Sequence, residues 1–159
     1  PDHASAPARV YAREALAARS PMSYHPAMAF ADLATLIVRD YDRAIAFFTD
    51  VLGFVLAEDT PSLTNDGRPK RWVVVRPSPG GSGLLLARAD GDAQEECAGR
   101  QFAGRVGLFL RVEDFAATLA RLQAAGVSIV APPRDEPYGQ VAVFLDCEGN
   151  RWDLLGPRG

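Results

Sequence analysis

LATLIVRDYDRAIAFFTDVLGF, residues 33–54, decides the fold, because the chain states much of it twice. It reads as a buried strand, an Asp that caps a helix, an amphipathic helix and a Gly that stops it. GLFLRVEDFAATLARLQAAGV, residues 107–127, repeats the same grammar. Val38 and Asp40 match Val112 and Asp114, while Tyr41, Ile45 and Phe48 match Phe115, Leu119 and Leu122. Gly53 and Phe54 match Gly126 and Val127 if the second helix is one residue shorter.

Working outward from each copy gives the rest of a module. After the first, FVLAED (54–59) reads as a strand and TPSLTNDGRP (60–69) as a breaker-rich loop. KRWVVVRP (70–77) and GLLLARA (83–89) read as strands joined across the hairpin SPGGS. After the second copy, VSIVA (127–131) is a strand and PPRDEPYG (132–139) a loop. GQVAVFLDC and RWDLLGP then form a hairpin across Glu148–Gly149–Asn150. The expectation is an α+β fold of two βαβββ modules in tandem, at 30–88 and 105–157. A linker over 89–104 joins them and holds one helical turn from Gln94 to Cys97. An arm over 1–29, helical at 8–19, packs on the body or on a partner subunit. Each sheet has helix cover on one side only, so the curved open faces must meet each other or another copy. The cleft they leave is the expected ligand site.

Composition sets outer bounds. A net charge of −3 gives no electrostatic reason for a nucleic acid or an anionic membrane as partner. Lys70 is the only lysine among 17 basic residues, a bias that reads as bacterial genome composition and not as an anion-binding surface. No apolar run approaches the ~20 residues of a membrane span. Arg9, Arg13 and Arg19 interrupt any apolar core of a secretion signal. Cys97 and Cys147 form no CxxC pair or dense framework. A cytoplasmic, reduced protein is the simplest reading.

With VRDYDRAIAFFTDVLGF (38–54), VEDFAATLARLQAAGV (112–127) and PYGQVAVFLDCEGNRWDLLGP (137–157) in view, the sequence resembles the vicinal oxygen chelate superfamily. That group includes glyoxalase I, bleomycin-resistance proteins and extradiol dioxygenases. The resemblance covers about residues 30 to 157 and implies a divalent metal in the cleft, held by His, Gln or Glu from strands one, four, five and eight. Carried over position by position, those ligands fall on Leu33, within Leu84–Leu85–Leu86, on Gly107 and on Asp153. Leu and Gly side chains cannot coordinate a metal, and one carboxylate does not hold a divalent ion against water. The only histidines, His3 and His25, lie in the arm. The expectation is therefore no metal and no other cofactor.

Individual residues carry two readings each. Asp153 is the best candidate for a general base or a polar anchor in the cleft, or else a solvated carboxylate paired with an Arg. Arg111 shares a face with Phe109 and Gly107 by strand alternation, and either binds a ligand carboxylate or phosphate, or pairs with Asp153 or sits on the rim. Thr35 shares a face with Leu33. Trp72, Phe109 and Tyr138 suit an apolar pocket wall, against the ordinary alternative of core packing. PSPGGSG (77–83) lacks the Lys–Ser/Thr ending of a phosphate loop and reads as a hairpin.

The sequence thus points to a metal-free binder of a small apolar molecule, of the bleomycin-resistance kind. Its ligand residues are Leu33, Thr35, Trp72, Gly107, Phe109, Arg111, Tyr138 and Asp153, and the resemblance implies a homodimer. The alternative is a metal-dependent lyase or dioxygenase with non-standard ligands. A third reading is an interaction module whose cleft is plugged by its own side chains.

Overall fold

The computed structural model describes residues 29–78 and 80–158, so the helix expected over 8–19 lies outside the described residues. β1 (Leu33–Val38), β2 (Val55–Leu63), β3 (Pro69–Arg76) and β4 (Gly83–Arg88) form one sheet in the order β1-β4-β3-β2. β5 (Val106–Arg111), β6 (Ile129–Glu136), β7 (Gly139–Leu145) and β8 (Arg151–Leu155) form the other in the matching order β5-β8-β7-β6. In each sheet the first strand runs parallel to the last, and the remaining pairs are antiparallel. The tandem α+β architecture expected from the repeat is the one observed.

The two crossover helices are built alike. α1 (Tyr41–Ala46) starts at Asp40, whose carboxylate accepts from the Arg43 amide at 2.7 Å. In the second module, Asp114 accepts from the Ala117 amide at 2.8 Å. The one-residue difference between the repeats has a local cause. α1 continues into a π-helical turn, Phe47–Val51, where the Leu52 amide reaches back to the Phe47 carbonyl and absorbs the extra residue. The second-module helix, Phe115–Ala124, is regular. Between the modules a short helix, α2 (Asp92–Cys97), occupies the linker turn, so the second-module helix is α3. No helix among the described residues is long and apolar enough to cross a membrane.

Two loops are shorter than expected. β2 runs on through Pro61 to Leu63, and β6 runs on through Pro132 and Pro133 to Glu136. Both are edge strands, where a proline's missing N–H removes no ladder bond. The ladder of β6 also shifts register between Ala131 and Arg134, which accommodates the proline pair as a bulge.

The modules share one core. Leu36, Val38, Val73, Val75 and Leu86 of the first sheet and Ala142, Phe144, Trp152 and Leu154 of the second pack with Phe48, Phe115 and Leu122 of the helices. Phe54 fixes how the sheets meet. It precedes β2, the strand farthest from β1, yet its ring lies 6.5 Å from that of Trp152 on β8. Phe48 of the π turn reaches the same indole at 6.0 Å. The sheets are therefore stacked through their helix-covered faces and not joined edge to edge.

Polar contacts lock that arrangement. Arg39 donates to Glu148 Oε2 at 2.8 Å and to the carbonyls of Glu95 and Ala98, while its own amide donates to Glu148 Oε1. The turn holding Glu148 is organised by buried Asp146. One of its oxygens accepts from the Glu148, Gly149 and Asn150 amides, and the other accepts from Trp152 Nε1 at 3.0 Å.

Candidate functional site

Strand alternation separates each sheet into a core face and an open face. In β3, Val73 and Val75 belong to the shared core while Val74, equally buried, lies outside it. Trp72 has the parity of Val74 and so belongs to the open face. Val74 pairs with Leu85, and Leu85 pairs with Thr35, which places Thr35 and Leu33 on that face too. Leu33 lies over Gly83, where an added methyl group would strike the leucine side chain. Trp72 is half-buried, and its Nε1 is a buried donor with no hydrogen-bond partner among the described residues.

A groove of about 310 Å³ runs past Trp72, Leu85 and Ala87 to Thr64, Asn65 and Gln94. Arg68 clasps its mouth, donating to both carboxylate oxygens of Asp90 at 2.9 and 2.6 Å and to Asp66 at 2.8 Å. Hydrogen bonds from Arg68 pull the Asp90 carboxyl below its ordinary range, and those from Arg68 and Thr64 hold Asp66 at about 2. A second cavity of about 360 Å³ lies beside it, lined by Arg39, Tyr41, Lys70, Arg71 and Arg88 among others. Within its cationic wall Arg71 is paired internally, held between Asp59 at 2.5 Å and Asp42 at 2.7 Å.

The open face of the second sheet carries Phe109, Arg111 and Asp153. Phe109 pairs with Asp153, and Asp153 pairs in turn with Val143, so the carboxyl stands between an aromatic and a β-branched neighbour. Phe109 is 62% exposed, an unusual position for a large apolar ring. Asp153 Oδ1 is buried without a hydrogen-bond partner among the described residues. Burial pushes its pKa up, and the charge of Arg134 offsets this only in part. Arg134 is itself engaged by Glu136 at 2.8 Å. The cation that reaches Asp153 is thus Arg134, not the Arg111 considered from the sequence. Tyr138, at the turn between β6 and β7, is exposed.

Gly107 does not open onto this face. β5 slips register between Val106 and Leu108, which breaks the alternation that would align Gly107 with Phe109. A methyl group at Gly107 would overlap the ring of Phe102, itself packed on the shared core. The neighbouring Gln101 seals the free edge of β1, accepting from the Ile37 amide at 3.0 Å and donating to the Thr35 carbonyl at 2.7 Å. Neither linker residue was singled out from the sequence. An irregular segment has no periodicity to reveal which side chain substitutes for a strand.

The expected ligand residues therefore fall into two groups. Leu33, Thr35 and Trp72 share the open face of the first sheet, whereas Phe109, Arg111 and Asp153 share that of the second, with Tyr138 at its end. Because the sheets stack through their covered faces, the two groups lie on opposite sides of the core within one chain. The donor set does not suit a divalent metal. Leu33 offers no donor atom, Gly107 has a phenyl ring in its side-chain space, and Asp153 is one carboxylate. Among the described residues no three His, Cys, Asp or Glu side chains cluster in a way that could hold a metal ion.

Comparison with known proteins agrees with this architecture. An uncharacterized protein of Shewanella frigidimarina (strain NCIMB 400) is 50% identical over 122 residues, covering 76% of this chain and 87% of that protein. Among solved structures, UcmS2 superposes with a TM-score of 0.66 at 31% identity, over 80% of this chain and 98% of that one. TnmS3, described as an antibiotic binding protein from Streptomyces sp. CB03234, gives 0.64 at 31% identity, over 84% and 99%. The sequence profile of one family spans residues 30–154, from the strand before the first helix to the end of the last hairpin. Repeat, topology and profile coincide: the chain belongs to the Glyoxalase/Bleomycin resistance protein/Dioxygenase superfamily.

Proposed function

We propose that this protein binds a small, largely apolar molecule without a metal, in a cleft that a second copy of the chain completes. The observation that carries the reading is the open face of the second sheet. There an exposed Phe109 stands beside the half-buried Asp153, a single carboxylate where a chelating relative would need several metal donors. Binding of this type requires an apolar wall and a few polar anchors, which Phe109, Trp72, Tyr138 and Asp153 supply. The likeness to TnmS3, a protein described as antibiotic binding, supports the same reading.

A second copy would cover what one chain leaves open: Phe109, 62% exposed, on one sheet, and the half-buried Trp72 with Leu33 and Thr35 on the other. A two-fold pair can bring the first-sheet face of one chain onto the second-sheet face of its partner, giving two equal clefts.

Tryptophan fluorescence tests the proposal. Trp152 is sealed in the core, so quenching by an added aromatic reports mainly on Trp72. Titration with fluoren-9-one should quench saturably, and prior treatment with EDTA should leave the curve unchanged. A stoichiometric divalent metal in the purified protein, with quenching abolished by EDTA, would favour the metal-dependent lyase or dioxygenase reading instead.

A further inference from the structure

The pairing of β3 with β4 gathers positive charge at one end of the first sheet. Continuing the Val73–Leu86 register by two positions sets Arg71 opposite Arg88, and like charges so placed cost stability unless they are offset. Both guanidinium groups lie over the ring of buried Tyr41, at 5.1 and 5.7 Å, which holds the two charges together. Lys70, the only lysine of the chain, and Arg39 join them in the wall of the cavity of about 360 Å³. Four of its eight lining residues are cationic, on a chain whose net charge is −3.

The carboxylates nearby are committed elsewhere. Asp42 and Asp59 hold Arg71, Glu148 holds Arg39, and Asp40 accepts from the Arg43 amide at the start of α1. Asp90 feels the charge of Arg88, yet both its oxygens are bonded to Arg68 at 2.9 and 2.6 Å. The side chains of Lys70 and Arg88 make no hydrogen bond or ion pair among the described residues, and both are exposed to solvent. They are reachable donors, one a compact ammonium and the other a planar fork. We propose that Lys70 and Arg88 hold a phosphate group in this cavity, as inorganic phosphate or as the end of a phosphate ester. Two uncompensated cations match a dianion, whereas a carboxylate leaves one of them unpaired. Asp40 and Asp42 weaken the site without abolishing it, since each carboxylate already faces a donor. Lys70 and Arg88 also line the groove past Trp72, so the organic part of an ester has a path to follow. The proposal goes beyond the apolar-ligand reading and does not depend on it.

A single lysine makes the test direct. In full-length protein grown with isotope-labelled lysine, Lys70 gives the only lysine side-chain signals. At about pH 8 a phosphate group is chiefly dianionic. Inorganic phosphate at constant ionic strength should shift those signals saturably, with a millimolar Kd, and chloride at the same ionic strength should not. Arg88→Gln should weaken phosphate by roughly three- to fivefold and Arg88→Lys by less, while Arg121→Gln, at an exposed position of α3, should leave it unchanged. Thermal unfolding verifies that each variant is folded. Phenyl phosphate, titrated in parallel, tells the two sources apart: tighter binding than inorganic phosphate identifies an ester, and equal or weaker binding identifies the free anion. A shift that stays linear in phosphate, or that chloride reproduces, overturns the proposal, as does parental affinity in Arg88→Gln. None of these results bears on the apolar-ligand reading, which the fluoren-9-one titration decides.

Discussion

Two acids on the last hairpin illustrate opposite ways of burying a carboxylate. Asp146 is buried but surrounded by amide and indole donors, and it ties the turn to Trp152. Asp153, seven positions on, has a buried oxygen with nothing to accept from. Its raised pKa means that the native state holds the proton more tightly than the unfolded chain, where the carboxyl keeps its ordinary value of 3.8. Between those two values the native state binds more protons, so stability falls as pH rises through the window and levels off above it. Asp153→Leu removes that dependence. Urea unfolding from about pH 4 to about pH 8 should show the variant gaining on the parent as pH rises, then holding a constant lead. A gap that closed instead would mean the ionised carboxylate has favourable partners. Asp59 does not obscure the effect: Arg71 lowers its pKa, so its contribution disappears only as pH falls below the ordinary value.

At the scale of elements, the linker determines more of the site than its composition suggests. Gln101 presents its side-chain amide to β1 as a short stretch of strand would, satisfying Ile37 N and Thr35 O on an otherwise free edge. Gln101→Leu should cost about 1–3 kcal/mol in chemical unfolding. It should also speed hydrogen exchange at the Ile37 amide and promote association through the exposed edge. Unchanged exchange at that amide would show that the bond is not maintained in solution. The same comparison marks what the sequence made legible. Helix starts at Asp40 and Asp114, the stripes through Phe48 and Leu122, and the hairpin at Gly149–Asn150 all follow from local chemistry. The strands through Pro61 and Pro132–Pro133 do not, because a proline reads as a breaker until the strand is known to be an edge. Parity put Thr35 with Leu33 and Arg111 with Phe109, yet failed at Gly107, where a bulge resets the alternation. Gln101 and Phe102 act across 64 and more residues of sequence or through ring packing, and no local pattern announces either.

For the whole molecule, the decisive relation is the stacking of the two sheets through one core. It explains why a chain with two modules keeps its candidate ligand residues on opposite outer faces, and why the sequence alone left the pairing of modules open. If clefts form between copies, each contains Trp72 from one chain and Asp153 from the other. A heterodimer of a Trp72→Phe chain and an Asp153→Leu chain, purified through different tags, then has one cleft lacking both groups and one lacking neither. Titrated with fluoren-9-one, it should show parental affinity at half the parental number of sites, although each variant homodimer, altered in every cleft, binds weakly. If a cleft instead drew both groups from a single chain, every site in the mixed pair would lack one of them, and no site of parental affinity would return. Full-strength binding at half occupancy is therefore obtained only when the two walls belong to different chains.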